Sequence, residues 1–156
     1  MSAVFPEFKL AMGQILVEGG KVDENLERAE KIVGEARRKD CQVIVLPECL
    51  DVGWTDPSAR ELAKPIPGET SNRLCQAAEC NEMIVVAGLS ERVGSRIYNS
   101  AILVNENGKI LVKHRKINEL AIAHDLYNIG NVLSVAETRF GTIAVNICAD
   151  NFQDSL

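Results

Sequence analysis

The fold is decided by one apolar stretch, Gln42-Val43-Ile44-Val45-Leu46-Pro47-Glu48. Its β-branched run from Gln42 to Leu46 is typical of a strand that is covered on both faces of a sheet. A mostly apolar run from Phe8 to Val17 predicts an earlier strand, which we also expect to be buried. The residues between the two runs have helical spacing, so the segment predicts a βαβ unit with parallel strands and a right-handed crossover.

The helix of this unit is expected to begin at Asp23, which is a good N-cap residue. Its apolar residues recur at helical spacing and predict a single inward face: Leu26, Ala29, Ile32, Val33 and Ala36. A second helix is expected to be capped by Thr70 or Ser71 and to run to Asn81. Further strands are predicted over residues 83–90, 97–104, 109–113, 132–138 and 140–147, with long connections over 47–67 and 115–131.

Composition limits the class of protein. The chain has 156 residues, of which 46% are hydrophobic and 25% charged, and these values predict a single globular domain over residues 1–156. The net charge of −5 argues against nucleic-acid binding, which needs a clustered basic surface. Neither a membrane-spanning apolar segment nor a signal peptide is recognisable, so we expect a cytoplasmic protein with no membrane partner and with five free cysteines.

Three residues that can carry chemistry follow predicted strands. Cys148 ends the apolar run over residues 143–147, Glu48 follows the strand quoted above, and Lys116 lies just beyond the strand over residues 109–113. Open α/β sheets place their chemistry at such carboxyl ends. A thiolate can attack a carbonyl carbon, a carboxylate can move the proton and an ammonium can stabilise the oxyanion.

Each of the three residues also has an ordinary structural interpretation. Cys148 could be a buried core cysteine, since free cysteine is among the most buried residue types. Glu48 could be a solvated loop residue, and Lys116 could be a surface charge within the basic segment over residues 113–116. The catalytic interpretation requires that all three side chains meet in one crevice.

Three short motifs together resemble the nitrilase superfamily, which comprises the carbon–nitrogen hydrolases. They occur in the order and approximate spacing of that family: Leu46-Pro47-Glu48, His114-Arg115-Lys116-Ile117 and Asn146-Ile147-Cys148-Ala149-Asp150. Supporting matches are Pro67-Gly68-Glu69-Thr70 and Tyr98-Asn99-Ser100-Ala101. The resemblance extends from about Lys9 to Asp150, which is nearly the whole chain.

The resemblance implies an α/β fold of the nitrilase type, an α-β-β-α sandwich. It also implies that Cys148 is the nucleophile, that Glu48 is the acid and base, and that Lys116 and the backbone N–H of Ala149 bind the oxyanion. The substrate would be a small molecule whose amide, carbamoyl or nitrile carbon is attacked. The reaction would need neither a metal nor an organic cofactor.

Further positions bear on substrate choice. The family often carries a second glutamate between the lysine and the cysteine, and the candidates here are Glu119 and Asp125. Trp54 lies in the stretch over residues 52–57, which we expect to line the substrate pocket. Asp150 after the nucleophile favours amides or carbamoyl groups over nitriles, whereas Ala149 stands where an aromatic residue is usual.

Family members continue well past the cysteine, whereas this sequence ends at Leu156. We interpret it as the N-terminal half of such a protein, which predicts an incomplete sandwich with an exposed apolar sheet face or edge. We expect little hydrolase activity from the chain alone. The resemblance further implies a homodimer or a higher homo-oligomer.

Three alternatives differ in class. The first is a non-catalytic fragment or pseudoenzyme that acts as an interaction module. The second is a metal site, for which two histidines and five cysteines suffice in number but lack Cys-x-x-Cys or His-x-x-x-His spacing. The third, a nucleotide-binding domain, is disfavoured because neither Gly-x-Gly-x-x-Gly nor the P-loop pattern is present.

Overall fold

The computed structural model describes residues 6–152. Within these residues seven strands and three helices follow one another, together with two 3-10 helices over Ala121–Ala123 and Cys148–Phe152. In chain order they are β1 (Leu10–Met12), α1 (Val22–Arg38), β2 (Val43–Val45), α2 (Ala59–Leu62), α3 (Glu69–Asn81), β3 (Ile84–Val93), β4 (Arg96–Val104), β5 (Ile110–Arg115), β6 (Val135–Thr138) and β7 (Gly141–Ala144).

Five of the strands form one mixed sheet in the order β1-β2-β3-β4-β5. β1, β2 and β3 are parallel, with Leu10 paired to Val43 and Val43 paired to Ile84. β3, β4 and β5 are antiparallel hairpin neighbours. The predicted parallel βαβ unit is therefore confirmed, and so is the hairpin that turns at residues 105–108.

The two faces of this sheet are covered by different layers. One face packs against α1 and α3, through residues such as Leu26 and Leu74, which are buried with Ile44 of β2. The other face packs against the separate β6–β7 hairpin, where Ala136 joins Val43 in a second core. Helices, sheet and second sheet thus form three successive layers, as an α/β sandwich requires.

The first strand differs from its prediction. It spans only Leu10–Met12 and is largely exposed, rather than a buried strand over Phe8–Val17. The reason is its place at the edge of the sheet, where the β6–β7 hairpin does not reach. Leu10, Met12 and Val45 are 48%, 80% and 39% exposed on the face that the hairpin covers at Val43. The apolar sheet face that we expected to be exposed is present at β1 and β2.

Both main helices begin slightly earlier than predicted. Helix α1 begins at Val22, so Asp23 lies in its first turn and caps no backbone group from an N-cap position. Helix α3 begins at Glu69, and Ser71 lies inside it, where its Oγ accepts a hydrogen bond from the Gly68 N–H at 2.9 Å. The inward faces were predicted correctly, because Leu26 and Leu74 are fully buried.

The connection after β2 is anchored at Asp51. The Asn25 Nδ2 of α1 donates to the Asp51 carbonyl at 2.9 Å, and the Ser90 N–H of β3 donates to both carboxylate oxygens at 3.1 and 3.0 Å. Burial raises the pKa of Asp51 from 3.8 to about 6, more than the backbone hydrogen bonds lower it. This anchor holds the chain that carries Glu48. No helix within residues 6–152 has the length and apolar character needed to cross a membrane.

Asp51 should make stability depend on pH. Because the folded state binds its proton more tightly than the unfolded state, its stabilising contribution is complete below pH 3.8 and is lost as the pH rises through about 6. The difference corresponds to about 3 kcal/mol. We expect Asp51→Asn to gain stability relative to the wild type between about pH 4 and pH 7. Urea unfolding at both pH values measures this, and parallel pH profiles of the two proteins would contradict it.

Candidate active site

Glu48 is placed at the end of β2 by a close approach to β3. The Leu46 N–H donates to the Val86 carbonyl at 2.8 Å, and the Gly88 N–H donates to the Pro47 carbonyl at 3.1 Å. A Cβ at Gly88 would lie 2.6 Å from the Glu48 Cα and 2.8 Å from the Cys49 nitrogen. Only glycine at this position lets the backbone around Glu48 lie against the strand.

Lys116 directly follows β5, which ends at Arg115 rather than at Lys113 as predicted. Its side chain is 1% exposed, so the interpretation as a solvated surface charge is wrong. The Nζ donates to Glu48 Oε1 at 2.8 Å and to Glu119 Oε1 at 2.9 Å, and it lies 5.5 Å from the centre of the Trp54 ring. The structure therefore brings Glu48, Lys116, Glu119 and Trp54 together.

Asn99 completes this cluster, although the sequence predicted no functional role for it. Its Nδ2 donates to Glu48 Oε1 at 2.6 Å and to Glu119 Oε2 at 3.2 Å. The backbone carbonyl of Asn99 accepts a hydrogen bond from the backbone N–H of Lys116 at 2.8 Å. The signal that could have found it is the Tyr98-Asn99-Ser100-Ala101 motif, which places this amide near the middle of β4.

The cluster keeps the lysine charged. Burial lowers the pKa of Lys116, but its hydrogen bonds to Glu119 and Glu48 outweigh burial and raise the pKa above its ordinary value. Lys116 is therefore an ammonium at neutral pH, which can donate hydrogen bonds and stabilise negative charge. It has no lone pair with which to act as a base.

Cys148 lies at the start of the final 3-10 helix and is exposed, between buried Ile147 and buried Ala149. The interpretation as a core cysteine is therefore wrong. Its φ of 43° belongs to the left-handed region, which non-glycine residues adopt at a cost in energy. Ala149 lines an open pocket of about 470 Å³, whose wall also includes Glu119 and Tyr127.

Asp150 ties the Cys148 turn to the lysine loop. Its Oδ1 accepts hydrogen bonds from the N–H groups of Ile117 at 3.1 Å and Asn118 at 2.8 Å, and its Oδ2 accepts one from Ile147 at 3.2 Å. His114 Nε2 lies 2.8 Å from the same Oδ2. Burial raises the pKa of Asp150, but these hydrogen bonds outweigh burial and hold the pKa below its ordinary value.

Asp125 does not belong to the site. Its side chain is exposed, and it is the backbone carbonyl of Asp125 that accepts a hydrogen bond, from Arg60 at 2.7 Å. Glu119 takes the position beside the lysine because it lies three residues after Lys116, within reach of the ammonium. Within residues 6–152 the side chains of His, Cys, Asp and Glu form no group of three that could hold a metal ion.

Comparison with known proteins gives a consistent result. A family model described as carbon–nitrogen hydrolase matches residues 9–156. The omega-amidase NIT2 of Xenopus tropicalis is 34% identical over an alignment of 154 residues, and the match covers 92% of this chain and 55% of that protein. A nitrilase of Pyrococcus abyssi is 35% identical over an alignment of 135 residues, and the match covers 83% of this chain and 51% of that protein.

Solved structures agree on the fold. The crystal structure of Saccharomyces cerevisiae Nit3, a member of branch 10 of the nitrilase superfamily, matches with a TM-score of 0.85 at 28% identity, over 94% of this chain and 57% of that one. The nitrilase resemblance is confirmed, and so is the α-β-β-α sandwich through the match to the solved fold, of which residues 6–152 form the three layers α, β and β. The chain spans about half the length of the curated relatives it matches.

The close approach at Gly88 generates a prediction. Gly88→Ala would force the new Cβ against the Glu48 backbone, and overpacking of this kind costs about 1–3 kcal/mol. We expect a lower free energy of unfolding, measured by chemical denaturation. A matched control is Gly34→Ala in α1, where the nearest atom is 3.5 Å away and alanine should add about 0.5–1 kcal/mol. Equal stability of the two variants would contradict the expectation.

Proposed function

The chain belongs to the carbon–nitrogen hydrolase family, and we propose that it carries the residues that hydrolyse a non-peptide amide through a cysteine thioester. One observation carries the proposal. A buried ammonium, Lys116, lies between two carboxylates, Glu48 and Glu119, in a loop that Asp150 ties to the turn of an exposed thiol, Cys148.

Acylation is the first step. Glu48 accepts the thiol proton as Cys148 Sγ forms a bond to the amide carbon, and the carbonyl oxygen becomes an oxyanion. Lys116 Nζ and the Ala149 N–H stabilise that oxyanion. The C–N bond then breaks, and the leaving nitrogen takes the proton from Glu48 and departs as ammonia or an amine. A thioester on Cys148 remains.

Hydrolysis of the thioester completes the cycle. A water molecule gives a proton to Glu48 while its oxygen attacks the thioester carbon, with the oxyanion again held by Lys116 and Ala149. The C–S bond breaks, the carboxylic acid product leaves, and Cys148 regains its proton from Glu48. Glu48 accepts one proton and returns one proton in each of the two steps, so it ends the cycle as the carboxylate with which it began.

Glu119 and Asn99 hold Glu48 and Lys116 in position. Glu48 is 24% exposed at its side chain, whereas Glu119 is 1% exposed and remains beside Lys116. Glu119 therefore supplies a counter-charge that stays with the ammonium while Glu48 exchanges its proton. The Asn99 amide holds the two carboxylates at a fixed separation, since its Nδ2 donates to both.

The names of the relatives suggest the substrate. Omega-amidases recur among them, and the name describes the cleavage of a terminal amide. The pocket beside Ala149 combines the apolar side chains of Leu120 and Ile129 with the amides of Asn118 and Asn128. From the names of the relatives we propose a short carboxylic acid with a terminal amide as the substrate. A carbamoyl group would react by the same steps.

Two substitutions test the proposal. With succinamate as the probe, Cys148→Ala should abolish the thioester adduct seen by intact mass spectrometry after acid quench, together with any ammonia release that the wild-type chain shows. Glu48→Gln should slow acylation by about 10²–10⁴-fold, because general acid–base catalysis contributes that much. Cys80→Ala, at another exposed cysteine, is the matched control and should leave both readouts unchanged. Ammonia release that survives Cys148→Ala would overturn the assignment.

A second candidate function is an interaction module without catalysis. The exposed apolar side chains of Leu10, Met12 and Val45 favour it, because contiguous apolar surface marks interaction sites. Alkylation separates the two functions. A nucleophile poised beside Lys116 should react with iodoacetamide faster than Cys80, whereas a module predicts no such difference.

A further inference from the structure

His114 and Asp150 form a fully buried hydrogen-bonded pair that the proposed reaction does not use. Both side chains are 0% exposed, and the His114 Nε2 to Asp150 Oδ2 distance is 2.8 Å. His114 lies in β5, two residues before Lys116, and Asp150 lies two residues after Cys148. The pair therefore links the two strand-end segments that carry the proposed ammonium and nucleophile.

The chemistry of the pair assigns a donor and an acceptor. Asp150 accepts three backbone N–H groups as well as the imidazole, and an ionised carboxylate accepts hydrogen bonds but donates none. His114 Nε2 must therefore carry the proton. The Nε2–H of His114 is directed at Asp150, whereas His114 Nδ1 is buried and makes no hydrogen bond within residues 6–152.

The pair connects strand β5, which is regular, to the Lys116 loop and to the Cys148 turn, which are not. His114 is registered opposite Ala101 in the β4–β5 ladder, which fixes the position of its ring. Asp150 then fixes the backbone on both sides of the pocket, because Ile117, Asn118 and Ala149 all line it. Cys148 keeps its left-handed φ of 43° between Ile147 and Asp150, which are hydrogen-bonded to each other.

We propose that His114 and Asp150 are a positioning pair. The pair holds the Cys148 turn against the Lys116 loop, so that the thiol and the ammonium face the same carbonyl group of the substrate. The inference rests on the proposed role of Cys148 as nucleophile. As a positioning residue, His114 needs no contact with the substrate or the thiol. It acts through Asp150, and Asp150 acts through the backbone of the turn.

The test measures the reactivity of the thiol directly. In the whole chain, iodoacetamide alkylation of Cys148 is followed by peptide mass spectrometry and divided by that of exposed Cys80 in the same sample. His114→Phe keeps a ring but removes the donor. We expect it to lower the ratio by about tenfold or more, since a misplacement of about 1 Å costs up to about 10²-fold. Asp150→Asn should lower it similarly, because one acceptor oxygen is lost.

A conservative variant separates positioning from bulk stability. His114→Gln can place an N–H near the position of Nε2, so it should restore most of the reactivity that His114→Phe removes. The stability control is Ser71→Ala in α3, which loses the hydrogen bond to Gly68, costs about 1 kcal/mol, and should leave the ratio unchanged. Circular dichroism establishes that each variant is folded. If His114→Phe fails to fold, Asp150→Asn and His114→Gln still decide the question.

Distinct results identify distinct failures. A ratio that is unchanged in folded His114→Phe or Asp150→Asn, or that falls equally in Ser71→Ala, overturns the positioning role. A failure of His114→Gln to exceed His114→Phe also overturns it, since the donor would then be irrelevant. A wild-type Cys148 that reacts no faster than Cys80 overturns the proposed function itself, and the positioning role with it.

Discussion

The burial of one ammonium group organises this structure. Lys116 is 1% exposed, and a charge removed from water must be matched by counter-charges and hydrogen bonds. The end of β2 contributes Glu48 and the loop after β5 contributes Glu119 as partners of the ammonium, and Asn99 of β4 donates hydrogen bonds to both carboxylates. Because removing one partner would leave the others unpaired in a buried site, these elements depend on one another. The contacts that hold the central strands in place are therefore also the contacts that form the candidate site.

The thiol is held in a different way. Cys148 is exposed and has a left-handed backbone, so neither packing of its side chain nor backbone preference fixes it. Its neighbours do, since Ile147 and Ala149 are buried and Asp150 accepts hydrogen bonds from both the turn and the lysine loop. The thiol of Cys148 is thus open to solvent while hydrogen bonds hold the backbone beneath it, an arrangement that the proposed role as a nucleophile would need.

The two faces of the sheet differ in how completely they are covered. The helical face is closed by α1 and α3, whereas the β6–β7 hairpin leaves Leu10, Met12 and Val45 exposed. The chain also spans about half the length of the curated relatives it matches. The contacts of the candidate site run among β4, β5 and the connections that follow β2, β5 and β7.

The sequence by itself determined the features that depend on local pattern. Apolar spacing identified the βαβ unit and the inward faces of both helices, since periodicity reports which side of an element is buried. It also placed Glu48, Lys116 and Cys148 after strands. It did not determine the exposure of β1, which depends on how far another layer extends, or the first residues of α1 and α3, which depend on backbone hydrogen bonds. Only the tertiary structure showed that Glu119, rather than Asp125, lies beside Lys116. It also showed that Asn99 contacts Glu48, 51 residues away, and that His114 contacts Asp150, 36 residues away. The physical reason is that such contacts are set by the packing of whole elements, and no local spacing records them.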